Sequence, residues 1–332
     1  MRLKNSNGKK AAFGVGLVGT AVNAKAMWDV VREMSFDQVK DTATRPPRMM
    51  VLAATADEAD RIARLLVGSE DLEGIGTGPL STDVWNLAAY DVIFVHESAP
   101  AEVSKRLRER AKNDPYAASI FVSSVIPFDR TEADRMRNLI AEQIGERSLA
   151  FARKYELFRP AVVARLISET SIANAEFSFV ANIPSLIPVI GGALTVGADM
   201  IVLTKNQLMM VYKIAAADGR QLDNQNKIFV EMISVIGQGM LWRTVAREAT
   251  AFLPFAAGTI PKIAISFTGT YALGRAADYY YRIGTKPTRM QREDFYRQAR
   301  GLLVKLPFAD KLPSGTAITP GPQDEQLAPT GS

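Results

Sequence analysis

Residues 177–198 read FSFVANIPSLIPVIGGALTVGA, a run of 22 residues without a charged side chain. A helix that spans a bilayer needs about 20 apolar residues, so the length of this run is typical of a membrane segment. Pro184, Pro188 and the Gly191-Gly192 pair interrupt the run, because proline removes a helical hydrogen bond and glycine favours bends. We therefore predict a bent hydrophobic hairpin here and not one straight spanning helix.

A second apolar stretch, residues 249–274, has a similar construction. Pro254, Gly258, Pro261 and Lys262 lie in its middle, so each half is too short to span a bilayer as a helix. The sequence thus predicts two bent hydrophobic hairpins. They either face a membrane or bury their apolar surface in the core of a helical bundle.

The composition limits the chemistry that the chain can perform. Its 332 residues are enough for two domains. The absence of cysteine excludes disulfides and thiolate sites, and His96 is the single histidine. A net charge of +5 favours an anionic partner. Because of the hydrophobic hairpins, we expect an anionic membrane surface, no nucleic acid, no cofactor, no metal and no small-molecule substrate.

The first residues, MRLKNSNGKK, are basic and precede an apolar stretch, as in a secretory signal. The alternative is a flexible basic tail and a leading helix over residues 1–47. The spacing Gly14-x-Gly16-x-x-Gly19 is that of a dinucleotide-binding loop. Such a loop follows a hydrophobic strand, and only three apolar residues precede this one, so we favour the tail and helix.

Between residues 48 and 150, short apolar runs alternate with amphipathic segments, which predicts an α/β domain with a parallel sheet. The predicted strands are residues 49–54, 91–96 and 119–124. The predicted helices are residues 57–67, 101–112 and 132–144.

The junction after the first predicted strand lacks the glycines and the Gly-Lys-Ser/Thr signature of a phosphate-binding loop. Thr55 and Glu58 have instead the spacing of a capping box, which places a carboxylate where a phosphate would bind. The sequence therefore predicts no nucleotide site of this kind. His96, Glu97 and Ser98 follow the second predicted strand, where they form either a turn or a small catalytic group.

After Pro160 the pattern is helical, and residues 151–305 are predicted to form an all-α domain. The predicted helices are residues 161–178, 193–217, 224–236, 240–252, 263–283 and 289–305. Residues 306–332 are rich in proline, glycine, serine and threonine, so we predict a disordered tail.

The IPSLIPVIGG turn, Asp199 in an apolar helix and the ending QLMMVYKIAAADG resemble the YcjF-like domain of unknown function, over about residues 155–285. The resemblance implies association with the bacterial inner membrane and a Ras-like GTPase domain upstream. Residues 48–150 depart from that partner at its motifs, since Ser123-Ser124-Val125-Ile126 stands in place of Asn-Lys-x-Asp. We therefore interpret them as a degenerate P-loop GTPase-like domain.

Six lysines and arginines lie between the hairpins, over residues 205–248. A single crossing by each hairpin would put these cations outside, against the positive-inside tendency. Hairpins that enter from the cytoplasmic face keep the cations beside anionic headgroups. Asp199 and Lys262 lie within the apolar segments, where a lone charge is costly, so we expect them to pair in a structural role.

The sequence thus favours a non-enzymatic, membrane-associated interaction or scaffold protein on the cytoplasmic face of the bacterial inner membrane. Two alternatives remain: a nucleotide-dependent switch or GTPase with an atypical phosphate site, and a soluble oligomeric scaffold in the cytoplasm. Partners beyond the membrane would be a protein or a second copy. No catalytic residue is predicted, and the polar candidates, all structural, are Thr55, Glu58, Asp199 and Lys262.

Overall fold

The computed structural model describes residues 34–97, 102–180, 198–224, 227–228, 231 and 259–303. Within these ranges, the structure describes only the backbone of residues 180, 198–201 and 259–262. No helix in the described part of the chain combines the length and hydropathy of a membrane span. The hairpin apices and both chain ends predicted above lie outside the described residues.

Four parallel strands form the sheet of the N-terminal region, in the order β2-β1-β3-β4. The strands are β1 (Met49–Ala53), β2 (Ile75–Pro79), β3 (Val92–His96) and β4 (Ser119–Ser123). A parallel sheet with flanking helices, followed by a helical region, confirms the coarse architecture that the sequence predicts.

Helices cover both faces of this sheet. Successive side chains of β1 and β3 point to opposite faces, and all of them are buried. They are α1 (Asp37–Thr44), α2 (Ala56–Val67), α3 (Glu102–Ala111) and α4 (Arg130–Ile144). Met49, Val51 and Ala53 of β1 pack in one core with α2 and α4. Met50 and Leu52 point to the opposite face and share a smaller core with Leu107 of α3. The chain thus winds first on one face and then on the other.

The sequence does not predict β2, whose residues IGTGP carry two glycines and a proline. These residue types disfavour strands, and proline within strands is found at sheet edges. β2 is such an edge, because it pairs only with β1 among the described strands. Tertiary pairing fixes β2 in spite of its weak strand propensity.

The helical region contains α5 (Ser148–Lys154), α6 (Arg159–Val180), α7 (Ala198–Ala217), α8 (Thr259–Ile283) and α9 (Arg289–Leu303). These bounds agree with four of the predicted helices. Most of the predicted helices 224–236 and 240–252 lies outside the described residues. α7 ends as expected from Asp218-Gly219, since Gly219 has φ +86° and its amide donates to the Ala216 carbonyl over 3.1 Å.

The helix α8 corrects part of the second predicted hairpin. The sequence placed Pro261 and Lys262 at a bend, but one helix runs from Thr259 through both residues to Ile283. Pro261 lies in the first turn of α8, where the missing amide hydrogen has no helical acceptor in any case. The other residues predicted to interrupt this stretch, Pro254 and Gly258, lie outside the described residues.

α7 and α8 run parallel to each other and antiparallel to α6. Gln207 donates to Thr270 over 3.0 Å, and further along both helices Met210 lies beside Gly274. Along α6 the order of these contacts is reversed. Asn174 donates to Thr270 over 3.0 Å, and the earlier residue Ile167 lies beside Gly274. The three helices therefore enclose one interior, and the helix ends Val180, Ala198 and Thr259 lie at the end of the bundle away from α5.

The helical region packs directly on the sheet region. Phe36, just before α1, meets Tyr212 of α7 with ring centroids 4.5 Å apart. Tyr155 donates its hydroxyl hydrogen to the Glu73 carbonyl over 2.7 Å. One apolar core runs from β1 and β3 through α2 and α4 to α6 and α7. Residue 150, the predicted domain boundary, lies inside α5, whose Leu149 and Phe151 belong to this shared core.

Candidate functional site

The carboxyl edge of the sheet is the place where a doubly wound fold binds ligands. The chain passes from β2 across β1 to β3, so the switch in winding direction lies between β1 and β3. Thr55 follows β1, His96 ends β3 and Ser123 ends β4, which brings three polar residues to this edge.

Thr55 caps the helix α2. Its backbone is extended, and its hydroxyl oxygen accepts the Glu58 amide hydrogen over 3.2 Å. In a capping box the Glu58 carboxylate would also accept the backbone amide hydrogen of Thr55, and the structure does not show that bond. Its Oε1 lies 3.2 Å from Nδ1 of His96, across the switch point. The Thr55 cap of the predicted capping box is thus present. The Glu58 carboxylate instead contacts His96, which the sequence did not indicate.

His96 is buried and has an acceptor at each ring nitrogen. Nδ1 faces the Glu58 carboxylate, and Nε2 lies 3.1 Å from the Val125 carbonyl oxygen. A neutral imidazole donates from one nitrogen only, so its tautomer decides which of the two acceptors receives the hydrogen. The ring therefore ties α2 to the segment after β4, and neither nitrogen is directed at a nucleophile.

The helices α3 and α4 are also capped by side chains of this chain. The Glu97 carboxylate accepts the Val103 amide hydrogen over 2.9 Å and the Ser104 amide hydrogen over 3.4 Å. Asp129 accepts the Glu132 amide hydrogen over 2.9 Å at the start of α4. Free amides at helix N-termini are the usual anchor of a bound phosphate. Thr55 and Asp129 each occupy one such amide, at α2 and α4, and Glu97 occupies two at α3.

Glu132 completes the polar group at this edge. Ser123 donates its hydroxyl hydrogen to Glu132 Oε1 over 2.5 Å, and Arg135 donates to both carboxylate oxygens. Arg135 first, and then the Ser123 hydroxyl, hold the pKa of Glu132 below its ordinary value. Ser123 is thus engaged with a carboxylate that stays ionised, and the described residues hold no serine–histidine pair for nucleophilic catalysis.

The sequence found only part of this site. Thr55, Glu58 and His96 were singled out, whereas the capping by Glu97 and the Ser123–Glu132 contact were not. Asp129-x-x-Glu132 has the same spacing as Thr55-x-x-Glu58 and was available as a signal. Ser98 lies outside the described residues, so the structure does not place the third member of the predicted polar group.

Asp199 and Lys262 are far from the carboxyl edge, in the first turns of α7 and α8. Their side chains are outside the described set, so their pairing stays a prediction. The described residues contain no group of three or more side chains suited to a metal ion.

A second ionisable cluster joins the C-terminal ends of α7 and α8. Asp278 lies 3.2 Å from Arg282, and Asp218 lies 3.4 Å from Arg220. Burial raises the pKa of Asp218, Asp278 and Tyr281. Arg220 also covers the ring of Tyr281, with its guanidinium carbon 5.4 Å from the ring centroid. Asp218 and Asp278 are each paired with an arginine, so the cluster has a structural role in holding the two helix ends together.

Comparisons with protein-family models, with curated proteins and with solved structures return no match to this sequence. The geometry of the chain itself is therefore the basis for a functional proposal.

Proposed function

We propose that this chain is a non-enzymatic, membrane-associated interaction protein, in which an α/β region unable to bind nucleotides precedes a YcjF-like helical region. One observation carries the first half of the proposal. The N-termini of α2, α3 and α4 at the carboxyl edge are capped by Thr55, Glu97 and Asp129. A degenerate GTPase-like ancestry of this region is part of the proposal.

The charges at this edge disfavour a phosphate. Glu58, Glu97, Asp129 and Glu132 contribute carboxylates at the carboxyl edge of the sheet, and Arg135 is already bonded to Glu132. A triphosphate would have to displace a capping oxygen and would meet like charges at short range. Because a carboxylate bonded to amides is a strong contact, this displacement is unfavourable.

The membrane half of the proposal is supported by the sequence. Part of each apolar run belongs to the bundle, since residues 177–180 lie in α6 and residues 259–274 lie in α8, where Ile263, Phe267 and Leu273 are buried. Residues 181–197 and 249–258 of the runs lie outside the described part of the chain, and by sequence their apolar side chains require either lipid or a protein surface as a partner. The cations in residues 205–248 favour the cytoplasmic face of an anionic inner membrane.

Titration of the purified chain with fluorescent GTP and ATP, with and without magnesium, tests the first half. We expect no saturable binding up to millimolar nucleotide. A functional P-loop GTPase serves as the positive control. Saturable, magnesium-dependent binding in the micromolar range would overturn the proposal and favour the nucleotide-dependent switch.

Fractionation of cells with a carbonate wash tests the membrane half. We expect the chain to stay with the membrane pellet after the wash. Full recovery in the soluble fraction would instead favour the soluble oligomeric scaffold, in which the apolar runs are covered by a second copy.

A further inference from the structure

A basic and aromatic surface surrounds the C-terminal end of α3, on the face of the sheet opposite α2 and α4. Trp85 and Tyr116 belong to it and are 77% and 79% exposed. The Ala118 amide donates to the Leu87 carbonyl over 3.1 Å, which joins the segment of Tyr116 to that of Trp85. Two large aromatic rings thus stand in solvent at one place on the fold.

Trp85 is held in position by Arg110 of α3. The guanidinium carbon of Arg110 lies 5.1 Å from the ring centroid, and Arg110 donates to the Trp85 carbonyl over 3.0 Å. Asp83 in turn accepts from Arg110 over 3.1 Å. The exposed ring is therefore fixed before any partner arrives, which lowers the entropy that binding removes.

Three exposed cations lie on the flank of α3 away from Arg110 and in the turn after the helix. Lys105, Arg108 and Lys112 recur at i, i+3 and i+7, so they share one stripe of α3 and of the turn that follows it. None of them has an ion-pair partner among the described residues, unlike Arg110 with its Asp83. Their charge is consequently available to an anionic partner.

We propose that this α3 surface, formed by Trp85, Lys105, Arg108, Lys112 and Tyr116, docks on anionic phospholipid headgroups. The inference rests on the proposed membrane association and adds a second contact to the apolar runs. Lysine and arginine are attracted to anionic headgroups, and tryptophan and tyrosine rings favour the headgroup layer. Arg110 already covers one face of Trp85, which makes stacking with a nucleic-acid base the weaker fit.

Vesicle flotation with the full chain tests this inference. The probes are vesicles of phosphatidylcholine alone and vesicles of equal parts phosphatidylcholine and phosphatidylglycerol. The variants are K105Q/R108Q/K112Q and W85S/Y116S. Their matched controls are R61Q/R130Q/K227Q, which removes the same charge from other exposed sites, and I283S/M290S, which removes exposed apolar side chains elsewhere.

We expect phosphatidylglycerol to strengthen binding of the unaltered chain in a salt-sensitive way. K105Q/R108Q/K112Q should weaken that increment by roughly tenfold to a hundredfold, and the controls should keep it. W85S/Y116S should weaken it to a smaller extent. Binding to phosphatidylcholine alone depends on the apolar runs and should be equal in all five proteins.

The outcomes separate the two proposals. If the phosphatidylglycerol increment persists in both α3-surface variants, the inference is wrong, and the membrane association through the apolar runs stands. If the increment is lost in the variants while neutral vesicles do not bind at all, the α3 surface is supported and insertion of the apolar runs is not. Binding of a labelled oligonucleotide that the same variants abolish, without any effect of phosphatidylglycerol, would assign the surface to nucleic acid and overturn the inference.

Discussion

Single side chains decide what the carboxyl edge can accept, and Thr55 is the simplest case. Its hydroxyl satisfies the Glu58 amide in the first turn of α2. We expect Thr55→Ala to lower the free energy of unfolding by about 1 kcal/mol, the usual effect of losing such a cap. Urea unfolding measures the change, with Thr55→Ser as the control that keeps the oxygen. Equal stability of the alanine variant would show that the cap contributes nothing.

Glu132 makes the stability of the fold depend on pH in a defined direction. Its pKa in the folded chain is below the ordinary value of 4.5, chiefly because of Arg135. The stabilisation that ionised Glu132 gives to the fold is therefore fully present above pH 4.5 and is lost as the pH falls through the lower pKa of the folded chain. We expect the stability difference between the unaltered chain and Glu132→Gln to shrink over that acidic window, as measured by urea unfolding at successive pH values. A difference that stays constant with pH would contradict this origin.

Helices α6, α7 and α8 approach closely at Gly274. A Cβ atom there would lie 2.6 Å from Ile167 Cγ1 and 3.1 Å from Met210 Sδ. We expect Gly274→Ala to destabilise the chain by about 1–3 kcal/mol through overpacking. Gly301 of α9 is the matched control, since nothing lies within 4 Å of its Cβ position. Gly301→Ala should stabilise by about 0.5–1 kcal/mol in thermal unfolding, and two effects of the same sign would refute the close approach.

The parallel course of α7 and α8 bears on Asp199 and Lys262. Asp199 precedes Gln207 by eight residues, and Lys262 precedes Thr270 by eight residues. Because Gln207 contacts Thr270, the two charged residues occupy corresponding levels of neighbouring helices. We expect Asp199→Asn and Lys262→Met to show a coupling of roughly 0.5–3 kcal/mol in a double-mutant cycle of thermal stability. Additive losses would leave each charge with its own solvent contact.

The elements differ in how well the sequence predicts them. β1, β3 and β4 are mostly apolar and each contains valine, so their local pattern agrees with their place in the sheet. β2 is set by its pairing with β1, which no local pattern of IGTGP reveals. The Thr55 cap is local and was predicted. The contact between Glu58 and His96 joins residues far apart in sequence, so it needed the topology.

At the scale of the molecule, the shared core makes the sheet and the helical region one folding unit. Phe151, Phe158 and Tyr212 are fully buried in the core that also covers β1 and β3. We expect calorimetry to show a single unfolding transition. A chain that ends at Arg147 should lack cooperative unfolding, because its loss of α5, α6 and α7 exposes the apolar side of α2 and α4. Two separate transitions in the whole chain would contradict this unity.

The two outer strands of the sheet differ in their capacity for self-association. On the outer side of β2, the Ile75 amide donates to the Leu72 carbonyl and Pro79 has no amide hydrogen. Only the Thr77 amide of β2 could therefore bond to a further strand on that side. On β4, Ile120 and Val122 both present amides and carbonyls away from β3, and no described strand pairs with them. Among the described residues, the outer backbone of β4 is therefore open to a further strand, whereas that of β2 is not. Strand addition through β4 would join two molecules and would not propagate into a fibre, because the other edge of the sheet accepts no strand.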